Sequence, residues 1–224
     1  MDISIKEIKR NARKSLKGKW HLMILITILY SITGLVWNLI TDIMNNWNST
    51  FDIINIVVDS LLIFGYMNIV LDVSRRKFID ISLLLKGCTK FFKTLGIKIL
   101  MFVFITLWSL LFVIPGFIAA ISYSMTFYIW VDNPEIGIKE AITRSKELTE
   151  GHKLEIFALL FSFMGWILLA LIPACIIKGY FPQLFNFTLT LGMIIVEPYI
   201  AVSLADFYNK LIDEKAKEET SYFV

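Results

Sequence analysis

The chain has 224 residues, of which 57 % are hydrophobic and 18 % charged, with a net charge of +3 and a mean hydropathy of +0.69. A soluble domain is nearer half apolar and a quarter charged. The composition therefore argues against an ordinary soluble enzyme. It points to an all-α, polytopic membrane protein with several apolar runs reaching the roughly 17–25 residues that cross a bilayer.

Residues 1–19 read as a basic amphipathic helix. Ser4 and Glu7 have capping-box spacing, with Ile3 and Ile8 placed as a hydrophobic staple. Ile5, Ile8, Ala12 and Leu16 line one face, and Lys6, Lys9, Arg10, Arg13 and Lys14 the other. That pattern predicts a helix on the membrane surface. Nucleic-acid binding is not expected of so short a segment tethered to a span. Trp20 to Ile40 reads as the first span. It is too long for a signal-peptide core and lacks a small-x-small cleavage site. A polar outer loop follows over 41–52, with Asp42, Asn45, Asn46, Asn48 and Asp52. Ile53 to Val73 is the second span. Residues 74–98 form a second basic segment, where Leu84, Cys88, Phe91 and Leu95 make an apolar stripe opposite Lys86, Lys90 and Lys93.

The apolar stretch 97–131 is too long for one span and carries Pro115–Gly116 near its middle. It predicts a hairpin of helices 97–113 and 117–131, either crossing twice or re-entrant. Gly116, Ala120 and Ser124 recur at i, i+4 and i+8, a small-residue groove that lets another helix approach. Asn133 and Pro134 then read as the cap and first residue of a third amphipathic helix, with Glu135 in its first turn. Ile138, Ala141, Ile142, Ser145 and Leu148 share its apolar face, and Gly151 stops it in a left-handed conformation. The fifth span is expected over 156–172. An outer turn follows over 173–183, with Pro173, Gly179 and Pro182. The sixth span runs from Leu184 to Phe207, interrupted at Pro198. The tail from Leu211, residues 211–224, is expected to fray.

Charge placement tests this topology. The N-terminal segment carries seven Lys or Arg, residues 74–98 seven, residues 132–154 four and Lys210 with the tail three, against Lys178 alone on the other side. Such asymmetry places both termini in the cytoplasm, with about six spans in three hairpins and an even number of crossings between basic segments. The hairpin units are 1–74, 75–131 and 132–210 of one membrane domain. Glycines 18, 96 and 151 join a charged helix to an outward span in each, as in an internal repeat. Cys88 and Cys175 fall on opposite sides, so no disulfide is implied. Trp20, Trp130 and Tyr208 near the inner face, and Trp37, Trp108 and Tyr180 near the outer, read as aromatic belts.

Glu197 is the sharpest candidate for function. An ionisable residue within a span is a functional hypothesis by default, with a helix-packing glutamic acid as the alternative. Counting about 1.5 Å per residue places Asn68 and Ser162 at its level and Asp59 about 10 Å nearer the outer face. His21 and His152 lack metal-ligand spacing, and no phosphate loop, nucleophile elbow or HExxH is present, so neither enzyme activity, metal nor cofactor is expected.

Ile114-Pro115-Gly116, Tyr123-Ser124-Met125, Tyr128-Ile129 and Asp132-Asn133-Pro134 resemble the central signature of a known family. Glu140-Ala141, Ser145, Leu148, Gly151-His152-Lys153, Phe157, Ser162-Phe163 and Gly165-Trp166 continue the likeness, and Pro198-Tyr199 with Phe207-Tyr208 closes it. The chain is similar to the bacterial integral membrane family called domain of unknown function 975. The resemblance implies a multi-pass protein of the bacterial cytoplasmic membrane and carries no activity. The expected function is non-enzymatic, through helix packing, lipid contact or another membrane protein. The alternative is a permease or channel component using Glu197, and a lipid-modifying enzyme has little support.

Overall fold

Apolar chain shielded from water can satisfy its backbone N–H and C=O groups only within itself. The computed structural model describes residues 4–44 and 50–221, and among them every regular element is helical, with no strand. In chain order these are α1 (Ile5–Leu16), α2 (Trp20–Met44), α3 (Thr50–Ser74), α4 (Ser82–Lys86), α5 (Phe91–Leu111), α6 (Val113–Ser122), α7 (Thr126–Asp132), α8 (Ile138–Leu148), α9 (Lys153–Phe161), α10 (Met164–Tyr180) and α11 (Phe185–Ser221). Short 3-10 turns link α4 to α5 at Gly87–Lys90 and α10 to α11 at Pro182–Leu184.

Four stretches among the described residues are long and apolar enough to cross a membrane: Ser82–Leu111, Val113–Asp132, Lys153–Tyr180 and Phe185–Lys217. The expected outer loop at Asn45, Asn46 and Asn48, and Ile3 of the expected staple, lie outside the described residues, as do the side chains of Trp37, Asp42 and Asp52. Large apolar side chains face outward along α5, α6 and α10, among them Phe102, Leu110, Phe112 and Leu169.

The basic segments gather at one end of the bundle. Ser15 Oγ reaches the Ser74 carbonyl (3.4 Å), Lys19 Nζ the Lys77 carbonyl (2.7 Å) and Lys210 Nζ the Glu7 carboxylate (3.2 Å). Glu7 therefore pairs with α11, and Ser4, though it precedes α1, makes no side-chain cap bond.

The amphipathic faces are buried against protein. Ile8, Ala12 and Leu16 of α1 are fully buried, and α1 packs on α11, α3 and α9. Ala141, Ile142, Ser145 and Leu148 of α8 are buried likewise, against α5, α6 and α7. This corrects the expectation of helices lying on the membrane surface. The physical reason is in the hydroxyls on these faces. A buried hydroxyl needs an acceptor, which a backbone carbonyl supplies and a lipid tail does not. Ser145 Oγ and Thr149 Oγ1 both donate to the Ser122 carbonyl (2.8 and 3.3 Å), and Ser145 Oγ accepts the Met125 N–H (3.2 Å). These bonds close the interruption between α6 and α7 at residues 123–125.

Several expected boundaries move. The helix expected from Pro134 begins at Ile138, because the Pro134 carbonyl is drawn outward by Lys93 Nζ (2.6 Å) and Trp130 Nε1 (3.3 Å) while Asn133 ends α7. The hairpin turns at Phe112, which is extended at φ −160°, rather than at Pro115–Gly116. Pro115 is the third residue of α6, where a missing N–H costs no intrahelical bond. Pro173 and Pro198 lie inside continuous helices, so the outer turn shrinks to residues 181–184 and α11 is uninterrupted. Surrounded by apolar side chains, a freed carbonyl is better tolerated than a whole exposed turn. The fifth span instead breaks at Ser162–Phe163. The tail is helical to Ser221, with Leu211 buried, rather than frayed.

Glycines explain the close approaches. Gly151 has the expected left-handed backbone (φ +86°) and Gly18 shares it (φ +80°), but Gly96 lies inside α5 against Ile138. In the second basic segment Leu84 and Gly87 are buried while Cys88 is exposed, so Cys88 is no part of an apolar stripe. A Cβ on Gly65 would lie 2.3 Å from the Leu83 carbonyl oxygen, and one on Gly87 would lie 2.4 Å from that of Leu61. The segment 82–90 thus rests backbone to backbone on α3. Trp130 and Tyr208 are core residues, not belt residues, and Trp108 borders a cleft with Lys146 and Lys153 of the basic segments rather than an outer belt. Trp130 packs on Phe64 at 4.5 Å between ring centres, and Tyr208 stacks on Tyr128 at 5.7 Å.

Candidate functional site

Glu197, on α11, has Asp59, Tyr30 and Tyr66 within electrostatic reach, which makes a polar group between α2, α3 and α11. Tyr30 and Tyr66 stack at 4.6 Å between ring centres. Among the described residues the buried Tyr66 hydroxyl has no hydrogen bond of ordinary geometry, and the Thr27 hydroxyl near it donates to the Met23 carbonyl (2.9 Å). Asp59 forms an ion pair with Lys98 of α5.

Neither Asn68 nor Ser162 is drawn to Glu197. Asn68 Nδ2 donates to the Phe64 carbonyl of its own helix (2.8 Å). Ser162 sits where α9 breaks from α10, and its carbonyl and Oγ both accept from Lys9 Nζ of α1 (3.1 Å each). The ammonium also lies 4.3 Å from the centre of the Phe163 ring. A cation at the C-terminal end of a helix is favoured by the unpaired carbonyls there. Burial and the neighbouring Arg13 charge push the Lys9 ammonium below its ordinary value.

Gly116, Ala120 and Ser124 do not form one continuous groove. α6 ends at Ser122, and Ser124 Oγ turns to the Ile121 carbonyl (2.7 Å) in the interruption. Gly116 is filled from within the hairpin, since a Cβ there would lie 2.0 Å from Ser109 Oγ.

At the basic end a second polar group joins three helices. Arg75 grips Asp132 with both nitrogens, Nη1 to Oδ1 at 2.7 Å and Nη2 to Oδ2 at 2.6 Å. The Tyr208 hydroxyl donates to Asp132 Oδ2 (2.9 Å), and Arg75 Nε donates to Asn209 Oδ1 (3.0 Å). Asn209 Nδ2 continues to Ser74 Oγ (2.8 Å), which donates to Asp206 (2.9 Å). Among the described residues no three His, Cys, Asp or Glu side chains converge to hold a metal ion.

A family profile described as "Protein of unknown function (DUF975)" matches residues 1–122 and 110–215. The chain belongs to the DUF975 family. No curated protein and no solved structure matches it.

In this DUF975 protein the residues that carried the resemblance fall largely at the places where helices are tied together. Asp132 holds α3 and α11 to the end of α7. Asn133 and Pro134 make the turn that Lys93 and Trp130 clasp. After Gly151, His152 Nδ1 lies 2.6 Å from Glu155 and its Nε2 3.7 Å from Glu214, tying α9 to the tail. Lys153 opens α9. Gly165 and Trp166 begin α10 just beyond the break. The buried Pro198 precedes Tyr199, whose hydroxyl donates to the Lys9 carbonyl (3.3 Å) and whose ring meets Phe163 edge-on at 4.9 Å. Trp166, Trp20, Tyr199 and Arg13 border a cleft of about 400 Å³.

Sequence reading missed Tyr30, Tyr66 and Lys98, because aromatic residues and an end-of-span lysine are ordinary in membrane helices. The hydroxyl of Tyr66 supplies a test. Tyr66→Phe removes a desolvated group with no well-formed hydrogen bond among the described residues, so stability is expected to stay level or rise by about 1–2 kcal/mol. Thermal unfolding in detergent checks this, and a clear loss would mean the hydroxyl has a partner.

Proposed function

We propose that this is a non-enzymatic, multi-pass protein of a bacterial cytoplasmic membrane, with about six spans and both termini in the cytoplasm. It acts through contact with lipid or another membrane protein, made at its basic end. The observation that carries the reading is the division of the molecule. Charged helices α1 and α8 are packed into the interruptions of the α9–α10 and α6–α7 runs at one end, while large apolar side chains cover the outer faces of α5, α6 and α10. Such a division suits a bilayer around the apolar faces and water at the basic end.

Single cysteines test the topology in a Cys88→Ser, Cys175→Ser background. With a membrane-impermeant thiol reagent, Lys178→Cys is expected to label in intact cells and Lys14→Cys only after the membrane is opened. Labelling of both sites from one side would defeat the reading. A second reading, a permease or channel component, draws on the Glu197, Asp59, Tyr30 and Tyr66 group. It requires solute flux in proteoliposomes that Glu197→Gln alters.

A further inference from the structure

We propose that the cleft between the α5–α6 hairpin and the α8–α9 connection is a binding site for an anionic phospholipid of the leaflet facing the basic end. The proposal rests on the membrane reading above and assigns to it a lipid class and a place. The cleft measures about 280 Å³. Trp108, Pro115 and Ile118 form its apolar wall, and Lys146 and Lys153 are its charged residues.

The charge inventory points to the occupant. On α8, Arg144 is engaged by Glu140 (2.8 Å), and His152 takes Glu155. Lys146 and Lys153 carry no ion pair among the described residues, and no acidic side chain lines the cleft. A phosphate there would meet two ammonium groups. The wall continues away from the lysines over side chains that are themselves nearly half exposed, Ile118 at 46 % and Trp108 at 48 %. A lone phosphate would leave that wall uncovered. A phospholipid places its headgroup on the lysines and an acyl chain along Ile118 and Trp108.

The test uses the full chain in detergent. Native mass spectrometry would follow retention of phosphatidylglycerol and of phosphatidylcholine with matched chains. The unaltered protein is expected to retain phosphatidylglycerol preferentially. Lys146→Gln with Lys153→Gln is expected to weaken that retention about ten- to thirty-fold and bring it level with phosphatidylcholine. Lys146 is exposed and Lys153 half-buried, and glutamine keeps most of the volume of each side chain, so the double variant is expected to fold, and a matching elution profile establishes that it has. Arg10→Gln with Lys14→Gln, equal in charge but on α1, is expected to leave the preference in place. Ile118→Trp, which thickens the wall, is expected to lower retention of both lipids. An undiminished preference in the lysine variant would overturn the proposal, as would complete displacement of phosphatidylglycerol by millimolar inorganic phosphate. If the cysteine topology fails, the membrane reading falls with it. If only the lipid experiment fails, the topology stands and this site does not.

Discussion

Gly65→Ala is expected to destabilise the protein by about 2 kcal/mol or more, and Gly65→Leu to prevent recovery of folded protein. The added Cβ would meet the Leu83 oxygen at 2.3 Å and Leu84 Cα at 2.5 Å, both backbone atoms. No side-chain rotation relieves such a contact, so the whole segment 82–90 must move away from α3. That segment leads into α5, whose Lys98 pairs with Asp59, and its displacement is felt beyond the crossing. The intrinsic preference of a helix runs the other way, favouring alanine over glycine by about 1 kcal/mol. Gly179, inside α10, shows that preference alone, because a Cβ there meets nothing within 4 Å. Gly179→Ala is therefore expected to be neutral or slightly stabilising. Thermal unfolding midpoints in one detergent compare the two. Equal stability of Gly65→Ala and the unaltered protein would remove the argument for a backbone crossing.

Asp132→Ala should cost about 1–3 kcal/mol. The carboxylate accepts two bonds from Arg75 and one from Tyr208, so its loss leaves two guanidinium nitrogens and a phenol without that acceptor at the junction of three helices, with Arg75 held by Asn209 alone. The Arg75 and Asp132 side chains are 30 % and 26 % exposed. Water therefore replaces part of what is lost, which holds the expectation below that for a fully buried pair. Asp132→Asn keeps an acceptor for Tyr208 and should fall between. In a double-mutant cycle, Arg75→Met combined with Asp132→Ala should cost less than the sum of the single changes. A single-variant loss under about 0.5 kcal/mol would place the pair among surface ion pairs with no structural weight.

What the sequence determined by itself was which residues must leave water. Ile8, Ala12 and Leu16 on α1, and Ala141, Ile142, Ser145 and Leu148 on α8, were legible from helical spacing and are all buried. Gly151 was legible as a left-handed stop and Gly18 as a junction between helices. The all-helical class followed from apolar runs whose backbone has no partner but itself.

Only the tertiary structure decided what those buried faces touch. Periodicity states that a face is apolar, and lipid and protein satisfy that demand equally. Helix crossings chose protein for α1 and α8, where Ser15, Ser145 and Thr149 found backbone acceptors. The same holds for the candidate site. Rise per residue put Glu197, Asn68 and Ser162 at one level, but level does not set facing. Rotation of each helix about its axis turned Asn68 to its own backbone, gave Ser162 to Lys9, and placed Tyr30 and Tyr66 near Glu197. Proline showed the same limit: Pro173 and Pro198 read as interruptions, yet the surrounding apolar packing makes an unbroken helix the cheaper arrangement. A sequence specifies the polarity of each face locally, whereas the partner of that face depends on crossing angles that only the assembled bundle defines.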